Sequence, residues 1–170
     1  MKTHLLPIAL LLACQPANPA AERVDRSVRM TAPVIAAGDS IVLERGRCYG
    51  TCPQYRVTVS RSGAVKYTGV ANVTRLGNAT STIAPSAAAE LLSHVGNNGV
   101  FEIPDSIVTG NPACGAAAED LPRVTMVLGL GGRTKRIVHD YGCSGAPRSL
   151  RQWHARIDSV SGSVKWTGTP

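Results

Sequence analysis

The chain has 170 residues, and its 18 Lys and Arg residues outnumber its 11 Asp and Glu residues, giving a formal net charge of +7. A basic balance can indicate nucleic-acid binding, but these residues are scattered and form no cluster interleaved with aromatic side chains. We therefore expect no nucleic-acid partner and a mostly solvated basic surface. The length fits one domain with its own core behind an N-terminal segment.

The N-terminus predicts an exported protein. Lys2 provides a positive charge, and residues 5–13 form an apolar stretch too short to span a bilayer. Residues 11–14, "LLAC", resemble the lipobox of bacterial lipoproteins, in which the cysteine is acylated and becomes the new N-terminus. We therefore expect residues 1–13 to be a lipoprotein signal peptide and Cys14 to be the lipidation site. The alternative is an ordinary signal peptide that is cleaved further on, near "NPAA".

Acylation of Cys14 would anchor the mature protein stably in a lipid bilayer without a transmembrane helix. If the cell is Gram-negative, Gln15 favours the periplasmic side of the outer membrane, as in lipoproteins generally. Residues 14–40 are rich in Ala and Pro and carry mixed charges without a sustained apolar period, which predicts a flexible tether. Residues 41–170 then form a single domain.

The first half of this domain predicts β-strands. Residues 41–45 are a short apolar run, and residues 55–60 and 64–69 alternate apolar and polar side chains on either side of an "RSG" turn. This pattern predicts a β-hairpin. Residues 70–75 and 79–84 are expected to continue the meander.

The second half mixes helix and strand signals. Pro85 begins a helix that Gly96 ends, and residues 101–123 follow as a long, partly irregular loop. A Gly-Gly pair separates "VTMVLGL" from "RTKRIVH", which indicates a second hairpin. After Pro147, apolar positions at helical spacing predict a second helix. The terminal "VKW" is expected to add a short strand.

This order of elements predicts an α+β domain, in which an antiparallel sheet built from β-hairpins carries two helices on one face. Within it, "CYGTCPQY" before the "YRVTVSRSGAVKYTG" hairpin, and later "RTKRIVHDYGC", resemble uncharacterised bacterial lipoproteins that carry domain of unknown function 6438. The similarity covers residues 41–166. It implies no reaction and no catalytic residue, because no activity is assigned to that family.

Apart from the lipobox cysteine, the chain contains Cys48, Cys52, Cys114 and Cys143. An even number of cysteines in an oxidising compartment indicates two disulfides. Of the three ways to pair them, we favour Cys48 with Cys52 and Cys114 with Cys143. The first bond requires a chain reversal at Gly50, because an extended chain would hold the two Cα atoms beyond the reach of a disulfide.

Two other roles for these cysteines stay open. Cys48 and Cys52 could form a redox-active pair, although thiol oxidoreductases usually place two residues between their cysteines, at a helix N-terminus. Alternatively, a metal ion could be bound by Cys48, Cys52, His139 and Cys143. Without a metal ion, His139 is interpreted as a residue at a strand end, and no cofactor is expected.

The sequence gives little support for an enzyme. "GCSGA" lacks the second glycine of a nucleophile elbow. Asp120, Asp140 and Asp158 are candidate carboxylates, but their spacing pairs no two of them, and turn or cap roles are expected for the first two. His94 and His154 are expected to be half-exposed helix residues.

These observations favour a non-enzymatic, membrane-tethered envelope lipoprotein, a binding or structural module whose partner would be an envelope protein or polysaccharide. The alternative is a periplasmic protein that carries out thiol redox chemistry or handles metal ions with Cys48 and Cys52.

Overall fold

A computed structural model describes residues 38–168 of the chain. The predicted signal peptide, Cys14 and residues 14–37 of the predicted tether lie outside these described residues, so what the sequence predicts for them stays a prediction. Across residues 38–168, no helix is both long and apolar enough to cross a membrane.

Strands of the described chain form one seven-stranded sheet. In chain order they are β1 (Ser40–Arg45), β2 (Gln54–Ser60), β3 (Ala64–Ala71), β4 (Gly77–Thr82), β5 (Ser106–Ile107), β6 (Arg123–Leu130) and β7 (Arg133–Asp140). Their order across the sheet is β4-β3-β2-β1-β6-β7-β5. Neighbouring strands pair antiparallel except β5, which is parallel to β7. The first strand of the domain is therefore its central strand.

Three α-helices in residues 38–168 accompany the sheet: α1 (Pro85–Asn97), α2 (Arg148–Ser161) and the short α3 (Val164–Thr167). Pro85 occupies the first turn of α1, where its missing N–H costs no helical hydrogen bond. Both α1 and α2 pack against the sheet. The predicted α+β class, with two helices on one face of an antiparallel sheet, is confirmed.

The core lies between the sheet and the two longer helices. On β2 and β3 every second side chain is buried, including Val57 and Tyr67, as a strand with one buried face requires. Leu91 of α1 and Trp153 and Ile157 of α2 are buried against this face. The apolar stripes that the sequence places on both helices therefore form the other half of the core.

The "VKW" segment is helical, so the predicted last strand is wrong. The Trp166 N–H donates to the Ser163 carbonyl at 2.9 Å, which closes a helical turn. The Trp166 ring stacks on Tyr67 with centroids 4.8 Å apart, and the Trp166 carbonyl accepts a hydrogen bond from the Arg75 N–H at 2.8 Å. These contacts hold the segment against Tyr67 of β3 and the turn between β3 and β4, and it pairs with no described strand of the sheet.

Two boundaries also differ from the predictions. Residues 70–75 form no separate strand, because β3 continues to Ala71 and a turn follows. Helix α1 runs through Gly96 to Asn97. A Cβ at Gly96 would lie 2.3 Å from Leu130 Cδ2, so the glycine here allows α1 to approach β6 closely and does not end the helix.

The predicted loop at residues 101–123 contains short regular pieces. Two 3₁₀ turns (Val100–Glu102 and Pro112–Cys114) flank the two-residue strand β5. The Val138 N–H donates to the Asp105 carbonyl at 2.9 Å, which helps to fix β5 beside β7. A strand of two residues is too short for a period to reveal it in the sequence.

Candidate functional site

Most of the side chains that could take part in binding or catalysis lie at one end of the sheet. Because neighbouring strands are antiparallel, β1, β3 and β7 end there, and β2, β4 and β6 begin there. We call this region the loop end and define it by residues 46–53, 72–76, 115–122, 141–147 and 162–168. It contains three of the four disulfide cysteines of the described chain.

The first disulfide closes a short loop between β1 and β2. Cys48 and Cys52 are bonded, with Cα atoms 5.8 Å apart. Gly50 lies between them with φ of 126°, a conformation that side chains with a Cβ rarely adopt. This is the chain reversal that the pairing requires. It leaves the Tyr49 side chain 86% exposed at the tip of the loop.

This disulfide loop is tied to two neighbouring turns. The Tyr49 N–H donates to the Asp120 carbonyl at 3.2 Å, and the Asn72 side-chain amide donates to the Cys52 carbonyl at 3.2 Å. Leu121, next to Asp120, is also exposed. The loop is therefore held in place from both sides while its aromatic tip stays in solvent.

The second disulfide belongs to the core. Cys114 and Cys143 are both buried, and their Cα atoms are 4.6 Å apart. Backbone hydrogen bonds reinforce the link: the Gly145 N–H donates to the Cys114 carbonyl at 2.8 Å, and the Ala118 N–H donates to the Gly142 carbonyl at 3.0 Å. Both bonds join the cysteines that the sequence analysis paired.

In the oxidised chain, the alternative metal site has no thiolate ligands. Cys48, Cys52 and Cys143 are all in disulfides, and a disulfide sulfur has no thiolate to offer a metal ion. His139 is then the sole remaining member of that predicted ligand set. Within the described part of the chain, no three or more His, Cys, Asp or Glu side chains are grouped so that they could hold a metal ion.

A network of hydrogen bonds centres on the Asp158 carboxylate. Arg45, the last residue of β1, donates to Asp158 Oδ2 from Nη2 at 2.6 Å and from Nε at 2.9 Å. The Tyr55 hydroxyl donates to Asp158 Oδ1 at 2.6 Å, and the Ser163 hydroxyl donates to the same oxygen at 2.9 Å. Both carboxylate oxygens are thus occupied by donors from strands and from the segment after α2.

The shifted pKa values keep Arg45 charged and the Tyr55 hydroxyl protonated at neutral pH. Burial lowers the pKa of Arg45, but the charge and hydrogen bond of Asp158, together with Tyr55 and Tyr141, outweigh burial and raise the pKa above its ordinary value. Burial and the Asp158 charge both raise the pKa of Tyr55. Neither Arg45 nor Tyr55 can therefore serve as a base near neutral pH, and the arrangement is suited to holding structure.

Two buried histidines continue the network. Arg45 Nη1 donates to the Tyr141 hydroxyl at 3.2 Å, and that hydroxyl lies 3.0 Å from His154 Nδ1. While its oxygen accepts from Arg45, the Tyr141 hydroxyl can donate to Nδ1 of a neutral imidazole, and that tautomer carries its proton on Nε2. His154 Nε2 and both ring nitrogens of His139 have no hydrogen-bond partner among the described residues. The two imidazole centroids are 5.9 Å apart.

Both histidines are held neutral. Burial, followed by the charges of Arg45, His139 and Arg151, lowers the pKa of His154 to about 3. Burial and Arg151 also lower the pKa of His139, although Asp140 opposes them. The expectation that His154 is half-exposed is wrong, because the same face of α2 that carries Trp153 turns it into the core.

The remaining candidate residues lie apart from this network. His94 is exposed on α1, as expected. Asp120 is exposed in a turn, with φ of 67°. Asp140 accepts from Arg123 Nε at 2.6 Å and from the Thr109 N–H at 3.1 Å, and the Arg123 hydrogen bond lowers the pKa of Asp140. The Asp140 carboxylate thus holds a strand end, whereas Asp120 takes part in its turn through its backbone carbonyl.

Sequence reasoning missed Arg45, Tyr55 and Tyr141 as members of one site. Their contacts with α2 join residues up to 113 positions apart in the chain, so no local spacing pattern predicts these contacts. One signal was available: Arg45 and Tyr55 are directly opposite each other in the β1–β2 pair. A polar residue and a hydroxyl at facing ends of adjacent strands indicate that a third polar group covers them.

The described residues include five exposed large apolar side chains, and all except Val70, which lies on β3, belong to the loop end. Their exposure ranges from 47% to 86%, and they are Tyr49, Val70, Leu76, Leu121 and Val164. None of them contributes to the core. Grouped apolar side chains on the surface are typical of interaction sites.

The described chain is thus an α+β domain with two disulfides, in which donors fill both oxygens of the Asp158 carboxylate. Residues 39–161 match the family model described as domain of unknown function (DUF6438), and the chain belongs to this family. The match extends from the start of β1 to the end of α2 and includes every network residue except Ser163. A search of curated proteins finds no match.

Removing the half-buried Cys48–Cys52 disulfide should reduce stability without removing a separate activity. For the double variant Cys48→Ser, Cys52→Ser, we expect a loss of about 2 kcal/mol, or roughly 5 to 8 °C in melting temperature. The reason is that the open loop regains conformational freedom in the unfolded chain. Thermal unfolding of the variant beside oxidised and reduced wild type measures this. Equal melting temperatures, with thiol reactivity lost only in the variant, would contradict the structural role and favour redox chemistry.

Acidification should destabilise the domain because of His154. Its ordinary pKa is 6.5 and its folded value about 3, so between these values the unfolded chain binds a proton that the folded chain does not. Stability therefore falls as the pH falls below 6.5, by about 2 kcal/mol near pH 5 for one such histidine. His139 adds to the loss in the same direction. Denaturant titrations between about pH 7 and about pH 5 measure the slope.

The matched control for this prediction is the exposed His94. His94→Gln should keep the wild-type pH slope, whereas His154→Gln should reduce it. An unchanged slope in His154→Gln would show that His154 takes up its proton in the folded state.

Proposed function

We propose that the protein is a bacterial envelope lipoprotein, held on a membrane through acylated Cys14, and that its domain is a non-enzymatic binding module. The observation that carries the binding role is the gathering of exposed apolar side chains at the loop end, with Tyr49 presented on a loop closed by a disulfide. A rigid exposed aromatic side chain loses little conformational entropy when a partner covers it.

The position of the chain entry supports this use of the loop end. The described chain enters the sheet at Ser40, whereas the loop end lies at the other end of β1, beyond Arg45. Six strand residues separate the two ends by about 20 Å. A tether that precedes Ser40 therefore leaves the loop end accessible to a partner.

The chemistry of the network supports a non-enzymatic role. The Asp158 oxygens are occupied, Arg45 and Tyr55 remain protonated, and His154 is buried and neutral. A general acid or base must reach a substrate and exchange a proton near the working pH. These groups instead fix the positions of the strands and helices that carry the exposed loops.

The proposed partner is an envelope protein or a polysaccharide. Arg47 is exposed beside Tyr49, and exposed arginine with aromatic side chains is typical of protein interfaces. In a Gram-negative cell, the proposed location is the periplasmic side of the outer membrane, because Gln15 follows the acylated cysteine.

Membrane attachment is tested by Cys14→Ser. Because the acyl chains provide the anchor, the variant should move from the membrane fraction to the soluble fraction. Fractionation with a salt wash measures this, and the Cys48→Ser, Cys52→Ser variant, which keeps Cys14, is the control. If Cys14→Ser still sediments with membranes after the wash, the lipoprotein proposal is wrong.

The binding surface is tested by replacing Tyr49 with a photo-crosslinking amino acid in intact cells. The control position is Ser62, which is exposed in the turn at the opposite end of the β2–β3 hairpin. Irradiation should give a discrete adduct of higher mass from position 49 and none from position 62. Equal adducts from both positions, or none from position 49, would contradict a binding role for the loop end.

A further inference from the structure

The two edge strands of the sheet, β5 and β4, differ in their length and in what lies beside them. At one edge, β5 has only two residues, and the segment after it is fixed to β7 by the Thr109–Asp140 hydrogen bond and by the Cys114–Cys143 disulfide. At the other edge, β4 has six residues and pairs with β3, and no other described strand lies beside it.

The sequence of β4 lacks the features that normally protect an edge strand. "GNATST" contains no charged residue and no proline, and its register with β3 runs through six pairs without a bulge. Natural edge strands are usually interrupted by such features, because free backbone N–H and C=O groups otherwise pair with another strand. Asn78, Thr80 and Thr82 are exposed along this strand.

One described contact touches this edge. Arg75 Nη2 lies 3.4 Å from the Asn78 carbonyl, which is long for a hydrogen bond. An incoming backbone N–H at about 2.9 Å would replace it with a better one. The contact therefore does not close the edge.

We infer that β4 pairs antiparallel with β4 of a second copy of this chain, across a two-fold axis perpendicular to the sheet. Residues opposite each other in an antiparallel pair lie on the same face. With Thr80 on the axis, Asn78 of each copy faces Thr82 of the other. In this register, the two residues of every opposed pair lie on the same face of the sheet.

The chemistry of β4 favours a second copy of the chain as its partner. Although the whole chain has a net charge of +7, self-pairing through this uncharged strand brings no like charges face to face. The same register brings exposed Leu76 of each copy towards exposed Ala84 of the other. Both ends of the paired strands thereby gain an apolar contact.

The geometry also closes the assembly. A two-fold pair uses the same β4 edge from both copies, and the outer edge of each sheet is then the short, covered β5. An interface of this kind ends at a dimer and does not grow into a fibre.

Cysteine crosslinking of the full-length protein tests the register. Thr80→Cys should give a covalent dimer with a short bis-thiol crosslinker, because opposite Cβ atoms are about 5 Å apart. Thr134→Cys is the control, since Thr134 is exposed on β7, and four strands separate β7 from β4. Dimer from position 80 and none from position 134 supports the pairing. Equal crosslinking at both positions, or none at position 80, overturns it.

Sedimentation equilibrium with lysine variants tests the interface without a crosslinker. Thr80→Lys would place two ammonium groups opposite each other and should weaken self-association by about tenfold or more. Thr134→Lys should leave it at the wild-type value. Circular dichroism melting identifies any variant that fails to fold. A monomeric wild type, or equal association of both variants, overturns the dimer and leaves β4 open to an extended segment of a different protein.

Discussion

The Asp158 carboxylate is the contact on which the arrangement of the loop end depends. It joins the end of β1 through Arg45, the start of β2 through Tyr55 and the segment after α2 through Ser163. Asp158 is 113 residues from Arg45 and 103 residues from Tyr55 in the chain. Apolar packing alone does not set the relative positions of such segments to within a hydrogen-bond length. Once α2 is fixed there, α3 follows directly and Trp166 reaches Tyr67.

The same contact determines the protonation of the neighbouring residues. Arg45 keeps its charge because Asp158 compensates it, and that charge then lies close to His154. Burial and the neighbouring positive charges make a second cation at His154 unfavourable, so the imidazole stays neutral and can accept the Tyr141 hydroxyl proton in a hydrogen bond. The residues form one electrostatic unit in which removing Asp158 would leave a buried cation without a partner.

The sequence predicted the features that local patterns determine. Both hairpins and both long helices depend on periods of two or 3.6 residues, and the disulfides were predicted from an even cysteine count in a chain that the sequence predicts to be exported. The sequence did not predict the features that depend on contacts between distant segments of the chain. "VKW" alternates like a strand, yet Trp166 is held by Tyr67 and Arg75. The Asp158 network was not predicted, because Arg45 and Asp158 are 113 residues apart in the chain. The one local signal for it is that Arg45 and Tyr55 face each other in the β1–β2 pair.

The proposed dimer is compatible with attachment of both copies to one membrane only in certain orientations. An axis perpendicular to the sheet points the two loop ends in opposite directions, so the two Ser40 entries are also at opposite sides of the dimer. The tether that the sequence predicts before β1 would, as a random coil of about 25 residues, span roughly 25 to 30 Å, which exceeds the length of about 20 Å for β1. Both tethers can therefore reach the same bilayer when the joined sheet lies parallel to it. Tyr49 and Leu121 stay free in that arrangement, because the β4 pair covers Leu76 and not the disulfide loop.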